Sequence, residues 1–290
     1  MSHMFRGTGV ALVTPFKNDT SVDFPALEKL IDYVIDHGVN YLVALGTTAE
    51  TPTLTAKEKK EVLTFILEKT KDRVPVVCGI GGNNTQEVLE QLKEYDLGKV
   101  AGILSVAPYY NKPSQEGIYQ HFKAIATATD KPIILYNVPG RTVTNILPAT
   151  ALRLANEFRN VVAIKEASGN MAQCMDLVQG RPDHFAVLSG DDDLVVPQVA
   201  IGFEGVISVA ANCYTRDFTT MVNEALEGHY DNARKLHYQL LANTRLLFAE
   251  GNPTGVKYVL SKMGICENVL RLPLVPASDT LRKDIDAKAL

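Results

Sequence analysis

The chain has 290 residues, 46% of them hydrophobic, and a formal net charge of −4. That length suits a single α/β barrel of roughly 250 residues with an extension, and the slight acidity excludes a basic field for nucleic acid or an anionic membrane, leaving small molecules as the expected partners. Four dispersed cysteines, Cys78, Cys174, Cys213 and Cys266, show no Cys-x-x-Cys spacing, which indicates neither a zinc knuckle nor a disulfide framework and fits a reducing cytoplasm.

Met1-Ser2-His3-Met4 has the character of a vector-derived leader and is set aside, so His3 receives no role. No basic segment followed by an apolar one opens the chain, and no run approaches ~18 apolar residues, so an unexported, soluble protein is expected. Short β-rich runs then alternate with amphipathic stretches, the pattern of repeated βα units. Strands are predicted at Gly9–Thr14, Tyr41–Leu45, Val76–Gly79, Gly102–Val106, Ile133–Asn137, Val161–Glu166, Ala186–Ser189 and Val206–Val209. Helical patterns between them include Phe24–His37, Ala56–Thr70, Thr85–Tyr95, Gln115–Thr129 and Leu147–Phe158. Thr55 before Ala56-Lys57-Glu58 spells a capping box, and Ser114 before Gln115-Glu116-Gly117 a weaker one. Eight such units close into a barrel. After Glu227 the alternation stops, and Tyr230–Ala249, Pro253–Met263 and Asp279–Leu290 read as helices, with Pro253 in a first turn. The expected architecture is α/β: a (β/α)8 TIM barrel over residues 5–228, with a C-terminal helical extension over 229–290 integral to the same unit.

Residues that act in such a barrel stand at the carboxyl ends of strands. Lys165 ends the apolar run Val161-Val162-Ala163-Ile164 and precedes a polar turn, Glu166-Ala167-Ser168-Gly169. A lysine in a partly dry cavity is disfavoured as an ammonium, which leaves its amine able to attack a carbonyl. Gly46-Thr47-Thr48-Ala49-Glu50 offers two hydroxyls and successive N–H groups suited to a small carboxylate, although alone it reads as an ordinary turn. Tyr136 ends the fifth strand near Arg141, and a polarised phenol exchanges protons, although a tyrosine there is more often packing. The pair Tyr109-Tyr110 reads first as an interface. Asp191-Asp192-Asp193 is expected to cap a helix beginning near Leu194. Gly79-Ile80-Gly81-Gly82-Asn83-Asn84 matches no nucleotide-binding fingerprint and reads as a tight βα turn. Carbanion chemistry beside a carbonyl uses either a divalent metal or a lysine iminium. His37, His121, His184, His229 and His237 are too scattered for metal ligation, so the lysine route is the better supported.

Gly46-Thr47-Thr48-x-Glu50, Tyr136-Asn137-Val138-Pro139 and Ile164-Lys165-Glu166-Ala167-Ser168-Gly169 together resemble the pyruvate-dependent class I aldolase superfamily of N-acetylneuraminate lyases and dihydrodipicolinate synthases. The likeness runs from Gly9 to Leu272-Pro273. Pro108-Tyr109-Tyr110-Asn111-Lys112-Pro113 and Val138-Pro139-Gly140-Arg141-Thr142 point to the synthase branch, because sialate lyases lack an arginine at the Arg141 position. The resemblance implies a lyase without a cofactor, active in lysine and diaminopimelate biosynthesis. Lys165 would form a Schiff base with pyruvate, whose enamine attacks L-aspartate 4-semialdehyde. Tyr136, Thr47 and a Tyr110 from the next subunit would relay protons. Thr48 and the Ile207 main chain would hold the pyruvate carboxylate, and Arg141 the carboxylate of the second substrate. The usual assembly is a homotetramer built from two dimers. Asn83, Glu87 and Tyr109 match a lysine-inhibition site, but Ala56 and Lys59 stand where lysine-sensitive members carry histidines, and an added cation implies weak or absent inhibition. Ala49 replaces a usual glycine and is tolerable unless the backbone there needs positive φ. A sugar-acid aldolase of the same type, or a keto-acid sensor without turnover, are the alternative readings.

Overall fold

The computed structural model describes residues 4–288. Eight parallel strands follow one another around a closed barrel: β1 Gly7–Ala11, β2 Tyr41–Ala44, β3 Val76–Gly79, β4 Gly102–Val106, β5 Ile133–Asn137, β6 Val161–Glu166, β7 Ala186–Ser189 and β8 Gly205–Ser208, with β8 pairing back onto β1. The helices are α1 Phe24–Asp36, α2 Ala56–Thr70, α3 Thr85–Glu94, α4 Gln115–Ala128, the short α5 Pro139–Thr142, α6 Pro148–Glu157, α7 Met171–Gly180, α8 Val195–Ala200, α9 Thr215–Leu226, α10 Tyr230–Phe248, α11 Thr254–Lys262 and α12 Asp279–Asp286. The expected (β/α)8 barrel is therefore the observed one. Among the described residues no helix is long and apolar enough to cross a membrane.

Alternation along each strand sorts side chains into two cores. Tyr41, Val77, Leu104, Ile134, Ala163 and Leu188 fill the barrel, while Leu42, Cys78, Ile103 and Ile164 pack outward against helix faces such as Leu27, Leu30 and Ile31 of α1. Filling is a matter of large against small. A Cβ at Gly9 would sit 2.2 Å from the Tyr41 ring, so glycine makes the space this buried tyrosine occupies. Helix starts follow local chemistry: Asp23 caps α1, Asn84 caps α3, Ser114 caps α4, and Thr55 with Glu58 forms the expected capping box of α2.

Several expected boundaries shift by one residue, and three elements show what moves them or how far. β1 begins earlier than Gly9–Thr14 through the pairing of Gly7 with Gly205, and it ends earlier because the Asn212 carboxamide takes the Val13 N–H at 3.3 Å and donates to Ala11 O at 2.8 Å, replacing a strand partner. α11 starts at Thr254, with Pro253 as its cap residue rather than its first helical one. The helix expected over Asp279–Leu290 ends at Asp286, and Ala289 and Leu290, like residues 1–3, lie outside the described residues.

The segment after β8 is tied to the loop after β2. Lys257 on α11 pairs with Glu50 at 2.5 Å, both side chains fully buried, and also donates to Val269 O at 2.9 Å. Glu50 accepts in turn from Arg271 N at 3.0 Å, while the Arg271 side chain pairs with Glu58. Removing one partner of a buried pair strands the other's charge, so Lys257→Met is expected to cost about 3–5 kcal/mol in denaturant unfolding. A loss below ~1 kcal/mol would show that Glu50 has found another way to be neutralised.

Candidate active site

On β6 the alternation that sends Ala163 into the barrel sends Lys165 the same way and turns Glu166 toward the helices. Lys165 is 5% exposed, and its Nζ lies 4.3 Å from the ring centroid of Tyr136, its register partner on β5. That places a cation against an electron-rich face in a dry setting. Gly190 supplies the room for it: a Cβ there would stand 2.6 Å from Ala167 Cβ and 3.0 Å from Lys165 Cε.

Outward-facing Glu166 is buried but fully occupied. Its carboxylate accepts from Asn137 Nδ2 and Gln173 Nε2, each at 3.0 Å, and from Ser168 N at 2.7 Å, while Asn145 bonds both Asn137 and Gln173. This polar lattice locks the ends of β5 and β6, and thereby Tyr136 and Lys165. The sequence reading did not find it. The period-two pattern of β6 was the available signal, because it forces Glu166 into a layer where a carboxylate needs several donors.

The loop after β2 makes a 3₁₀ turn over Thr47–Ala49. Thr48 is buried there, and its Oγ1 accepts from Asn252 Nδ2 at 2.9 Å, whereas Thr47 is exposed. The left-handed residues of this loop are Leu45, at φ 55°, and Glu50, at φ 52°, and not Ala49, so the alanine methyl is accommodated. Thr47, Tyr136, Arg141, Asn83, Glu87 and Tyr109 line one recess of about 440 Å³ above the barrel. Lys165, Thr48 and Ile207 do not line it: Lys165 touches it only through the Tyr136 ring, Thr48 is buried behind Thr47, and Ile207 belongs to the barrel core. Tyr110 is not brought to the recess. It is absent from the recess lining and 87% exposed, at φ 74°. A larger cavity, about 1200 Å³, opens at the opposite end of the barrel beside Phe5, Arg159 and Arg181, away from every strand end that carries chemistry.

The Asp191-Asp192-Asp193 run corrects an expectation. α8 has Leu194 as its cap residue and no side-chain cap. Burial recruits the carboxylates elsewhere. Asp192 Oδ2 accepts from Val209 N at 3.0 Å and Ala210 N at 2.7 Å, bracing the turn after β8, Asp191 accepts from Gly169 N, and Asp193 pairs with Arg245. Burial pushes the Asp192 carboxyl up to about 6, against the pull of the Ala210 N–H, the Ser208 hydroxyl, the Val209 N–H and the Lys165 charge. Asp191 is pushed up to about 7 by burial and then by the nearby Glu166 charge. A carboxyl raised in the fold holds its proton more tightly there than in the unfolded chain. It therefore favours the native state below pH 3.8, and that contribution is lost as pH rises through 7. Asp191→Asn is expected to raise stability by about 1–2 kcal/mol at pH 8 and little at pH 4. Thermal melts at both pH values check this, and an equal shift at the two would assign the effect to packing. Among the described residues no group of three or more His, Cys, Asp or Glu is arranged to hold a metal ion.

A model of the Dihydrodipicolinate synthetase family matches residues 4–289. The chain belongs to this family. A dihydrodipicolinate synthetase relative, the 4-hydroxy-tetrahydrodipicolinate synthase of Parabacteroides distasonis, is 55% identical over 271 residues, covering 93% of this chain and 91% of its own. Among solved structures, the dihydrodipicolinate synthase of Thermotoga maritima superimposes with a TM-score of 0.96 at 42% identity, covering 99% of this chain and 98% of that one. The chloride-inhibited synthase of Acinetobacter baumannii, solved in complex with pyruvate, gives a TM-score of 0.95 at 39% identity over 98% of this chain and 97% of that one. The dihydrodipicolinate synthetase assignment thus spans barrel and extension together.

Proposed function

We propose that this chain is a Schiff-base-forming lyase that condenses pyruvate with L-aspartate 4-semialdehyde to 4-hydroxy-tetrahydrodipicolinate, in lysine and diaminopimelate biosynthesis. The observation that carries this reading is the buried Lys165 at the mouth of the barrel, against Tyr136, in a chain so close to named synthases. The neutral Lys165 amine adds to the keto carbon, water leaves, and an iminium forms. Loss of a methyl proton then yields an enamine, whose carbon attacks the aldehyde before cyclisation releases the lysine. Each step moves a proton to a different atom, which suits a relay through Tyr136 and Thr47.

Thr48 and the Ile207 main chain would hold the pyruvate carboxylate, and Arg141, exposed at the recess rim, the carboxylate of the semialdehyde. Tyr110 completes the relay only from a neighbouring subunit, a reading supported by its exposure and its absence from the lining of its own recess. Activity is therefore tied to a homotetramer built as a dimer of dimers. Lys59 stands in the same recess as Asn83, Glu87 and Tyr109, so its charge opposes a bound lysine ammonium and feedback by lysine is weak. The four free cysteines fit a reducing, cytoplasmic setting.

Borohydride added with pyruvate should leave one stable adduct per chain, on the peptide that holds Lys165. Labelling on any other lysine would defeat the reading. A coupled assay with the semialdehyde and a sugar-derived aldehyde separates the synthase from a sugar-acid aldolase, the synthase requiring preference for the former.

A further inference from the structure

The extension reaches the catalytic end of the barrel at a residue the condensation has not yet used. Asn252 immediately precedes the cap of α11 and is 7% exposed, yet its Nδ2 donates to Oγ1 of Thr48, which is 2% exposed and 204 positions earlier in the chain. This is the one hydrogen bond of the Thr48 hydroxyl among the described residues. A hydroxyl has one hydrogen to give and two lone pairs to receive. With a lone pair taken by the amide, the Thr48 hydrogen is left to donate, and a buried donor without an acceptor is costly until a ligand supplies one.

We infer that Asn252 is a positioning residue for the keto-acid substrate: by donating to Thr48 it turns that hydroxyl into a fixed donor for the substrate carboxylate. This rests on the role given to Thr48 above. The loop itself does not hang on Asn252. Glu50, two residues after Thr48, is anchored separately by Lys257 at 2.5 Å and by Arg271 N at 3.0 Å. Loss of the Asn252 amide therefore frees the hydroxyl to rotate while the turn stays in place. The helical extension thus reaches into substrate binding as well as packing on the barrel.

The assignment of donor and acceptor gives the test its sign. Asn252→Ala releases the Thr48 hydroxyl, and the KM for pyruvate should rise about tenfold, equivalent to ~1.4 kcal/mol. The KM for the semialdehyde should stay within twofold. Asn252→Asp keeps the shape but only accepts, so it would capture the Thr48 hydrogen and set a negative charge beside the carboxylate site. Its pyruvate KM should rise at least tenfold beyond that of the alanine variant. In a Thr48→Val background, Asn252→Ala should add nothing, since the two act through one hydrogen bond. A pyruvate KM unchanged in Asn252→Asp, or full additivity with Thr48→Val, overturns the inference. Should Asn252→Ala fail to fold, the isosteric Asn252→Asp decides alone. Borohydride trapping of the unaltered enzyme separates the two levels: a wild type that forms no adduct defeats the proposed function, whereas normal trapping with unmoved pyruvate KM values defeats only the role of Asn252.

Discussion

Replacing Lys165 with arginine is expected to lower kcat/KM at least ~10³-fold, about 4 kcal/mol of activation free energy at 1.36 kcal/mol per decade. Arginine keeps a positive charge and a long stem, and a guanidinium also stacks on an aromatic face, so the contact with Tyr136 at the end of β5 survives in kind. What is lost is chemical. A guanidinium does not deprotonate in a protein and has no free amine to add to a keto carbon. The pyruvate and borohydride adduct should vanish with the activity, while the melting temperature falls only by the strain of a larger head group beside Gly190, whose missing Cβ leaves little spare room. Steady-state rates, adduct mass and thermal melts on one preparation check the three expectations. Activity within tenfold of the original would end the covalent account.

Arg141→Ala is expected to act on the other half of the reaction. Arg141 lies on the short α5, whose first residue, Pro139, directly follows the Tyr136-Asn137-Val138 strand end, and its side chain lines the open recess. A forked guanidinium matches the two oxygens of a carboxylate, and truncating one side of such a pair costs ~2–5 kcal/mol. At the exposed rim the low end applies, so kcat/KM for the semialdehyde should fall about 30-fold. Imine formation with pyruvate should persist, because Lys165 and Thr48 lie deeper and are untouched. Arg141→Lys should recover only part of the loss, since an ammonium offers a point charge in place of a fork. Equal loss of adduct formation and condensation would contradict the division of labour between the two residues.

Both expectations start from residues visible in the linear chain, and the reason is geometric. A parallel barrel puts the carboxyl end of every strand on one face, so a lysine, a tyrosine and a hydroxyl pair at strand ends are neighbours whatever the loop details. Lys165 and Tyr136 meet for that reason, being register partners on adjacent strands. Other contacts obey no such rule. The Asp191-Asp192-Asp193 run looked like a helix cap because carboxylates favour helix N-termini. The fold instead buries Asp192 under the turn after β8, where two N–H groups needed an acceptor. The Glu166 lattice joins residues from β5, β6, α7 and the loop before α6, and no spacing in the chain encodes that convergence.

Short β-rich runs and their alternation with amphipathic helices determined the barrel from the sequence alone, and the residues closing each run singled out Lys165 as the candidate nucleophile. They do so because strand alternation and closure leave few choices. The tertiary structure alone decided which distant residues meet near the strand ends: Asn252 reaching Thr48 from late in the chain and Lys257 meeting Glu50 in a dry interior, with Tyr110 left exposed. Those pairings span two hundred positions. Their energies come from burial and desolvation, which exist only once the chain has closed on itself.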